Sequence, residues 1–139
     1  MNDDDPISVV LFSGTDDRLQ AAAVLTAGAA ALGRPVHIFL QYWALDAFRA
    51  DRIGATLPLA PEAGPEGRAA VDALAAAGQQ SWSETLRMAK EIGEVDIQAC
   101  SLSMDLLNIE QSELDPLVDG VEGVTAFFGT ASSGQLLFI

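Results

Sequence analysis

Short runs of apolar residues alternate with longer segments rich in Ala and Leu along most of the chain. The first run, residues 7–12, is β-branched and almost continuously apolar, which is typical of a strand that is covered on both faces. The segment 18–32 consists largely of strong helix formers, and Gly33 ends it. Residues 35–40 form a second apolar run that begins with a proline, at a position where no ladder donor is lost. This order predicts a βαβ unit with parallel strands and a right-handed crossover.

The alternation continues to the end of the chain. Further helices or helical turns are predicted over 43–49, 68–77, 84–92, 101–107, 112–117 and 123–132, and further strands over 95–100, 118–122 and 135–139, the last of them buried. Ser81 and Glu84 have the spacing of a capping box. Residues 52–67, rich in proline and glycine, predict an irregular surface loop. We therefore expect one α/β domain over 1–139 with a doubly wound, mostly parallel five-stranded sheet, preceded by a disordered tail at 1–5.

Charge and composition restrict the classes of partner. The chain has 20 acidic and 7 basic residues, a formal net charge of −13. Such a field repels phosphate backbones and anionic lipid headgroups, so nucleic acid and membrane surfaces are disfavoured and a basic protein partner fits better. No signal-peptide pattern or apolar stretch of about 20 residues is found, so no membrane span is expected. A single cysteine fits a reducing compartment, and we expect a cytoplasmic protein.

That cysteine, Cys100, is the first candidate for chemistry. It ends the predicted strand 95–100 and immediately precedes a predicted helix, at the sheet edge where α/β proteins form their sites. Free amides at a helix start favour a thiolate, whereas the carboxylate of Asp105 opposes it. From position alone, a small buried hydrophobe is the favoured interpretation.

The single histidine gives little support to a Cys–His hydrolase. His37 lies in the middle of the second predicted strand, where a core or sheet-face histidine is favoured over a catalytic base. Cys100 and His37 also match no metal-ligand spacing, so neither a metal nor a cofactor is expected.

Two loops at the same predicted edge supply further candidates. Ser13 and Gly14 could cradle an anion at a helix start, although helix capping is the favoured role there. Tyr42 and Trp43 follow the second strand and could line a pocket beside Cys100. Ordinary packing accounts for these aromatic residues equally well.

The segment 99–105, Ala-Cys-Ser-Leu-Ser-Met-Asp, resembles the DsrE/DsrF-like family, in the branch called peroxiredoxin-like, which shows a Cys-x-Met-Ser-Met-Asp run after its third strand. The opening Val-Val-Leu-Phe-Ser-Gly, the helix end Gly-Ala-Ala-Ala-Leu-Gly, the stretch Phe-Leu-Gln-Tyr-Trp and the terminal Leu-Phe-Ile agree with it. The similarity therefore spans nearly the whole chain. Leu102 stands where the family has methionine, a change that keeps the volume.

The resemblance implies a three-layer flavodoxin- or Rossmann-like domain that assembles into homo-oligomers. It also implies that Cys100 carries a persulfide, handed to or from a TusA-like sulfur carrier in a sulfurtransferase-like relay. In this hypothesis the backbone amides of Ser101 and Ser103 hold the sulfur anion and Asp105 orients the turn. The sulfur should then face a hollow that solvent can reach, and no base, metal or cofactor is needed.

Two alternatives stay open. The chain could be a non-catalytic binding or assembly module in which Cys100 is structural. It could also be a thiol peroxidase, although the nearby cation and the Thr or Arg that such a cysteine usually requires are missing around Cys100.

Overall fold

Five parallel strands form one sheet in a computed structural model that describes residues 4–139. The strand order is β4-β3-β2-β1-β5, and every strand pairing is parallel. The strands are β1 Ile7–Leu11, β2 Val36–Leu40, β3 Val95–Cys100, β4 Gly120–Glu122 and β5 Gln135–Phe138. The predicted α/β fold with a five-stranded sheet is confirmed.

In the described part of the chain, six α-helices connect or flank these strands. They are α1 Asp16–Ala31, α2 Tyr42–Ala47, α3 Gly67–Ala76, α4 Trp82–Ile92, α5 Ser101–Leu107 and α6 Val124–Thr130, and 3₁₀ turns cover Pro61–Ala63 and Gln111–Glu113. Within residues 4–139, none of the helices is both long and apolar enough to cross a membrane.

The side-chain capping predicted from the sequence is present at the start of α4 and absent at the start of α1. The capping box of α4 is confirmed: the Glu84 amide donates to Ser81 Oγ, and the Ser81 amide donates to the Glu84 carboxylate. At α1, the N-cap residue is Thr15 and makes no side-chain capping bond, so the capping role favoured for Ser13 and Gly14 is wrong. The carboxylate of Asp17 accepts hydrogen bonds from the amide of Arg18, in the first turn, and from the amide of Ala60.

The first face of the sheet carries the main core. Helices α1 and α4 pack on it, and their contact is close because residue 93 is glycine: a Cβ on Gly93 would lie 2.7 Å from the Cβ of Ala30. The buried residues of this layer include Val9, Leu11, Leu19, Ala23, Ile38, Leu40, Leu86, Ala89 and Ile97.

The second face of the sheet is covered more sparsely. Here Phe127, the buried residue of α6, packs with Phe39 of β2 and Cys100 of β3. The prediction that the last strand is buried is wrong: Leu136 and Phe138 of β5 are 50% and 69% exposed. The reason is topological, because β5 pairs with β1 alone and lies at the edge of the sheet.

The predicted N-terminal tail falls partly outside the described residues, which begin at residue 4. Within the described part, the guanidinium of Arg34 donates two hydrogen bonds, of 3.1 and 3.0 Å, to the backbone carbonyl of Asp5. The chain is therefore anchored to the domain at Asp5.

Candidate functional site

Cys100 lies at the junction that the sequence predicted. It is the last residue of β3 and the N-cap of α5, and the bounds of both elements are those expected from the sequence. The expectation of a hollow open to solvent is wrong for the single chain, since Cys100 is 3% exposed. Its side chain packs with Phe39 and Phe127.

Phe127 packs against Cys100, and nothing in the sequence indicated that contact. Its ring stacks on Phe39, with the centroids 4.8 Å apart and the planes at 11°. The Phe127 ring also stacks on the imidazole of His37, with the centroids 5.6 Å apart and the planes at 19°. Phe127 is carried by α6, a helix of seven residues.

The residues that follow Cys100 differ in their exposure to solvent. Ser101 and Asp105 are exposed, whereas Ser103 is buried and its hydroxyl accepts a 3.1 Å hydrogen bond from the amide of Tyr42. Ser103 therefore holds the start of α2, where Tyr42 has a φ of 45°, an uncommon value for an aromatic residue. The sulfur-binding roles of the Ser101 and Ser103 amides and the orienting role of Asp105 stay predictions.

The predicted pocket residues form a separate feature at the carboxyl ends of β1 and β2. Ser13, Gly14 and Trp43 line a cavity of about 390 Å³, together with Phe12, Arg18, Asp46, Arg52 and Leu57. Tyr42 is not among the lining residues; its ring packs on Phe12 with the centroids 5.2 Å apart. Cys100 does not line this cavity either.

Glycine is required at position 14 for a steric reason. A Cβ there would lie 2.5 Å from the backbone oxygen of Trp43. Ser13 Oγ accepts a hydrogen bond from the Thr15 amide and lies 3.1 Å from the Thr15 hydroxyl. The local structure of the turn therefore explains why Ser13 and Gly14 occupy these positions.

His37 is a buried sheet-face histidine, as the sequence predicted, but its partners were not foreseen. Its Nδ1 lies 2.9 Å from a carboxylate oxygen of Asp96 in β3, and its Nε2 lies 2.6 Å from one of Glu122 in β4. Gln98 in turn donates a 2.8 Å hydrogen bond to Asp96. The signal that could have revealed this cluster is the polar alternation at 96 and 98 in an otherwise apolar strand.

Comparison with known proteins is consistent with this architecture. The pattern of the DsrE/DsrF/DrsH-like family matches residues 3–63 and 57–139. The chain is 29% identical to the Bacillus subtilis protein YrkE, described as uncharacterized, over 95% of each sequence.

Two solved structures are similar to the chain. The crystal structure of the YchN protein from E. coli has a TM-score of 0.58 and 15% identity, with 96% of this chain and 97% of that one covered. The MTH1491 protein of unknown function from Methanobacterium thermoautotrophicum has a TM-score of 0.49 and 14% identity, with 95% and 97% covered. The likeness to YchN shows a shared fold.

Proposed function

Because the chain belongs to the DsrE/DsrF/DrsH-like family, we propose that Cys100 carries sulfane sulfur as a persulfide and relays it to or from a TusA-like partner. The observation that carries the proposal is the position of the chain's one cysteine, at the carboxyl end of a strand in an all-parallel sheet. Sites of open α/β proteins are formed at this edge. A reducing cytoplasm suits the reaction, since a lone thiol stays free there.

The transfer step needs nothing beyond the two sulfur groups. The Cys100 thiolate, whose proton has gone to solvent, attacks the outer sulfur of a donor persulfide. A new S–S bond forms on Cys100 while the donor's S–S bond breaks and its thiolate leaves. Delivery to an acceptor thiolate is the same exchange in the other direction, so no external oxidant or reductant takes part.

Because Cys100 is buried, the proposed relay must both protect the persulfide between transfers and expose it during transfer. A persulfide has to be kept from water and stray thiols between transfers, and the stacked rings of Phe39 and Phe127 do this. Transfer then requires α6 to move aside. The outward residues Val124 and Phe128 of α6 are 50% and 58% exposed, so a docking partner has an apolar surface by which to displace the helix.

We further propose that the chain works as a homo-oligomer. Large apolar side chains are exposed around the second face of the sheet, at Val124, Phe128, Leu136 and Phe138. Contacts between copies would remove this surface from water. The charge of −13 opposes association, so the contact must be driven by apolar burial, and a sulfur carrier that docks from outside should present basic residues.

Intact-mass measurement after incubation with glutathione persulfide tests the carrier role. We expect the native chain to gain the mass of one sulfur atom, removable by dithiothreitol, and the Cys100→Ser variant to gain nothing. Phe127→Ala should accelerate the gain roughly tenfold or more, because removing the buried ring lowers the cost of opening. Ile92→Ala, which trims an exposed apolar side chain of α4 at the first face, is the matched control and should leave the rate unchanged.

A second function is favoured by one specific observation, the 3% exposure of the cysteine. In this alternative the chain is a non-catalytic assembly module, and Cys100 fills space beneath α6. A thiol that stays silent to persulfide and alkylating reagents in both the native chain and Phe127→Ala, and reacts after denaturation, would establish this alternative and exclude the carrier.

A further inference from the structure

The second face of the sheet holds a partly buried cluster of ionisable residues that the transfer step does not itself use. We call it the His37 cluster; it consists of His37, Asp96 and Glu122, one residue from each of β2, β3 and β4. The His37 side chain is 8% exposed and the Glu122 side chain 15%, whereas the Asp96 side chain is 46% exposed. Buried charges are expensive unless they are paired, so an arrangement of this kind calls for a physical role.

The geometry of the His37 cluster shows which contacts hold it together. Both ring nitrogens lie within hydrogen-bond distance of a carboxylate oxygen, at 2.9 and 2.6 Å. Hydrogen bonds to a carboxylate are among the stronger ones in proteins. The imidazole therefore holds the Asp96 and Glu122 side chains in place.

Glu122 links the His37 cluster to the cysteine. It is the register partner of Cys100 across the β3–β4 pair, so the two side chains leave the sheet on the same face. From this position the Glu122 carboxylate reaches His37. The charged groups that face the imidazole come from the strands, Asp96 and Glu122, because α6 contributes only uncharged residues.

A carboxylate free to approach Cys100 would oppose both the thiolate and the persulfide anion. We propose that His37 is a positioning residue: it binds the Glu122 carboxylate and so keeps that charge from approaching the Cys100 sulfur. The inference rests on the proposed carrier function. Since His37, Asp96 and Glu122 all lie on strands, the pairing persists when α6 moves aside to admit a partner.

The pH profile of Cys100 alkylation by iodoacetamide separates this role from a structural one. The plateau rate at high pH reports access beneath α6, whereas the midpoint reports ionisation of the sulfur. His37→Gln should raise the midpoint by about one pH unit, because Glu122 then stands unpaired. The double variant His37→Gln with Glu122→Gln should return the midpoint toward the native value.

Glu62→Gln serves as the control, because Glu62 is an exposed carboxylate paired with Arg18 on another part of the molecule, and it should leave the midpoint in place. A midpoint that is unmoved in His37→Gln, or equally raised in the single and double variants, would overturn the proposal. The persulfide mass gain is measured on the same proteins. A native mass gain with unmoved midpoints rejects the role of His37 alone, and shifted midpoints without a mass gain reject the carrier alone.

Discussion

At the scale of single residues, Asp17 shows how an acid that looks suited to a helix start acts over a longer distance. Its carboxylate accepts a 3.0 Å hydrogen bond from the Ala60 amide, and Asp16 similarly accepts one from the Leu57 amide. Burial raises the pKa of Asp17, but the bonds from Ala60 and Thr15 outweigh it and hold the pKa below its ordinary 3.8. The two acids therefore attach the loop segment 57–60 to the start of α1.

Asp17→Asn should lower the free energy of unfolding by about 1 kcal/mol at neutral pH. Because the folded pKa is depressed, the ionised form stabilises the native state above pH 3.8, and that contribution disappears as pH falls through the folded pKa. Urea denaturation of both proteins at pH 7 and near pH 3 should show a difference that narrows at the lower pH. An equal difference at both values would contradict the assignment to charge.

At the scale of elements, α3 differs from the other helices because none of its residues is buried. A hollow of about 500 Å³ lies beside it, lined among others by Val71, Leu74 and Trp82. The side chain of Arg68, in the first turn, donates to the Leu57 carbonyl and approaches Asp16. Arg68 thus provides a principal attachment of α3 to the domain.

Amide hydrogen exchange should therefore be at least about tenfold faster in α3 than in α1, since few apolar contacts oppose its local opening. Arg68→Ala should accelerate exchange in α3 further without affecting α1. Asp72→Asn, which removes only the exposed i,i+4 pair with Arg68, is the control. Equal protection of α3 and α1 would show that the helix is held by contacts that burial does not reveal.

At the scale of the whole molecule, the two faces of the sheet are unequally covered. Helices α1 and α4 bury the first face, whereas α6 leaves apolar side chains exposed around the second. Phe138 is 69% exposed even though it stacks on Phe12. A monomer with this surface would be poorly suited to water, which is the basis for expecting association between copies.

Sedimentation velocity at micromolar concentration should show the native chain as a multimer and Phe138→Glu as a monomer with an unchanged circular dichroism spectrum. Leu25→Glu introduces the same charge at a residue of α1 that is 51% exposed, and it should leave the assembly intact. A native monomer, or disruption by both variants alike, would contradict an interface on the second face.

The sequence alone determined the order and type of the elements and the place of the cysteine. Strands such as 95–100 and helices such as 101–107 are encoded in local runs of a dozen residues or fewer, so pattern and propensity suffice to find them. The capping box at Ser81 is local for the same reason.

Only the tertiary structure decided what surrounds that cysteine. The cover by Phe127 and the bond between His37 and Glu122 join residues far apart in the chain, 85 positions in the second case. The exposure of β5 likewise depends on its place in the sheet. A central strand and an edge strand can have the same apolar sequence pattern. Local pattern carries no information on such pairings, because they are selected by the packing of the whole fold.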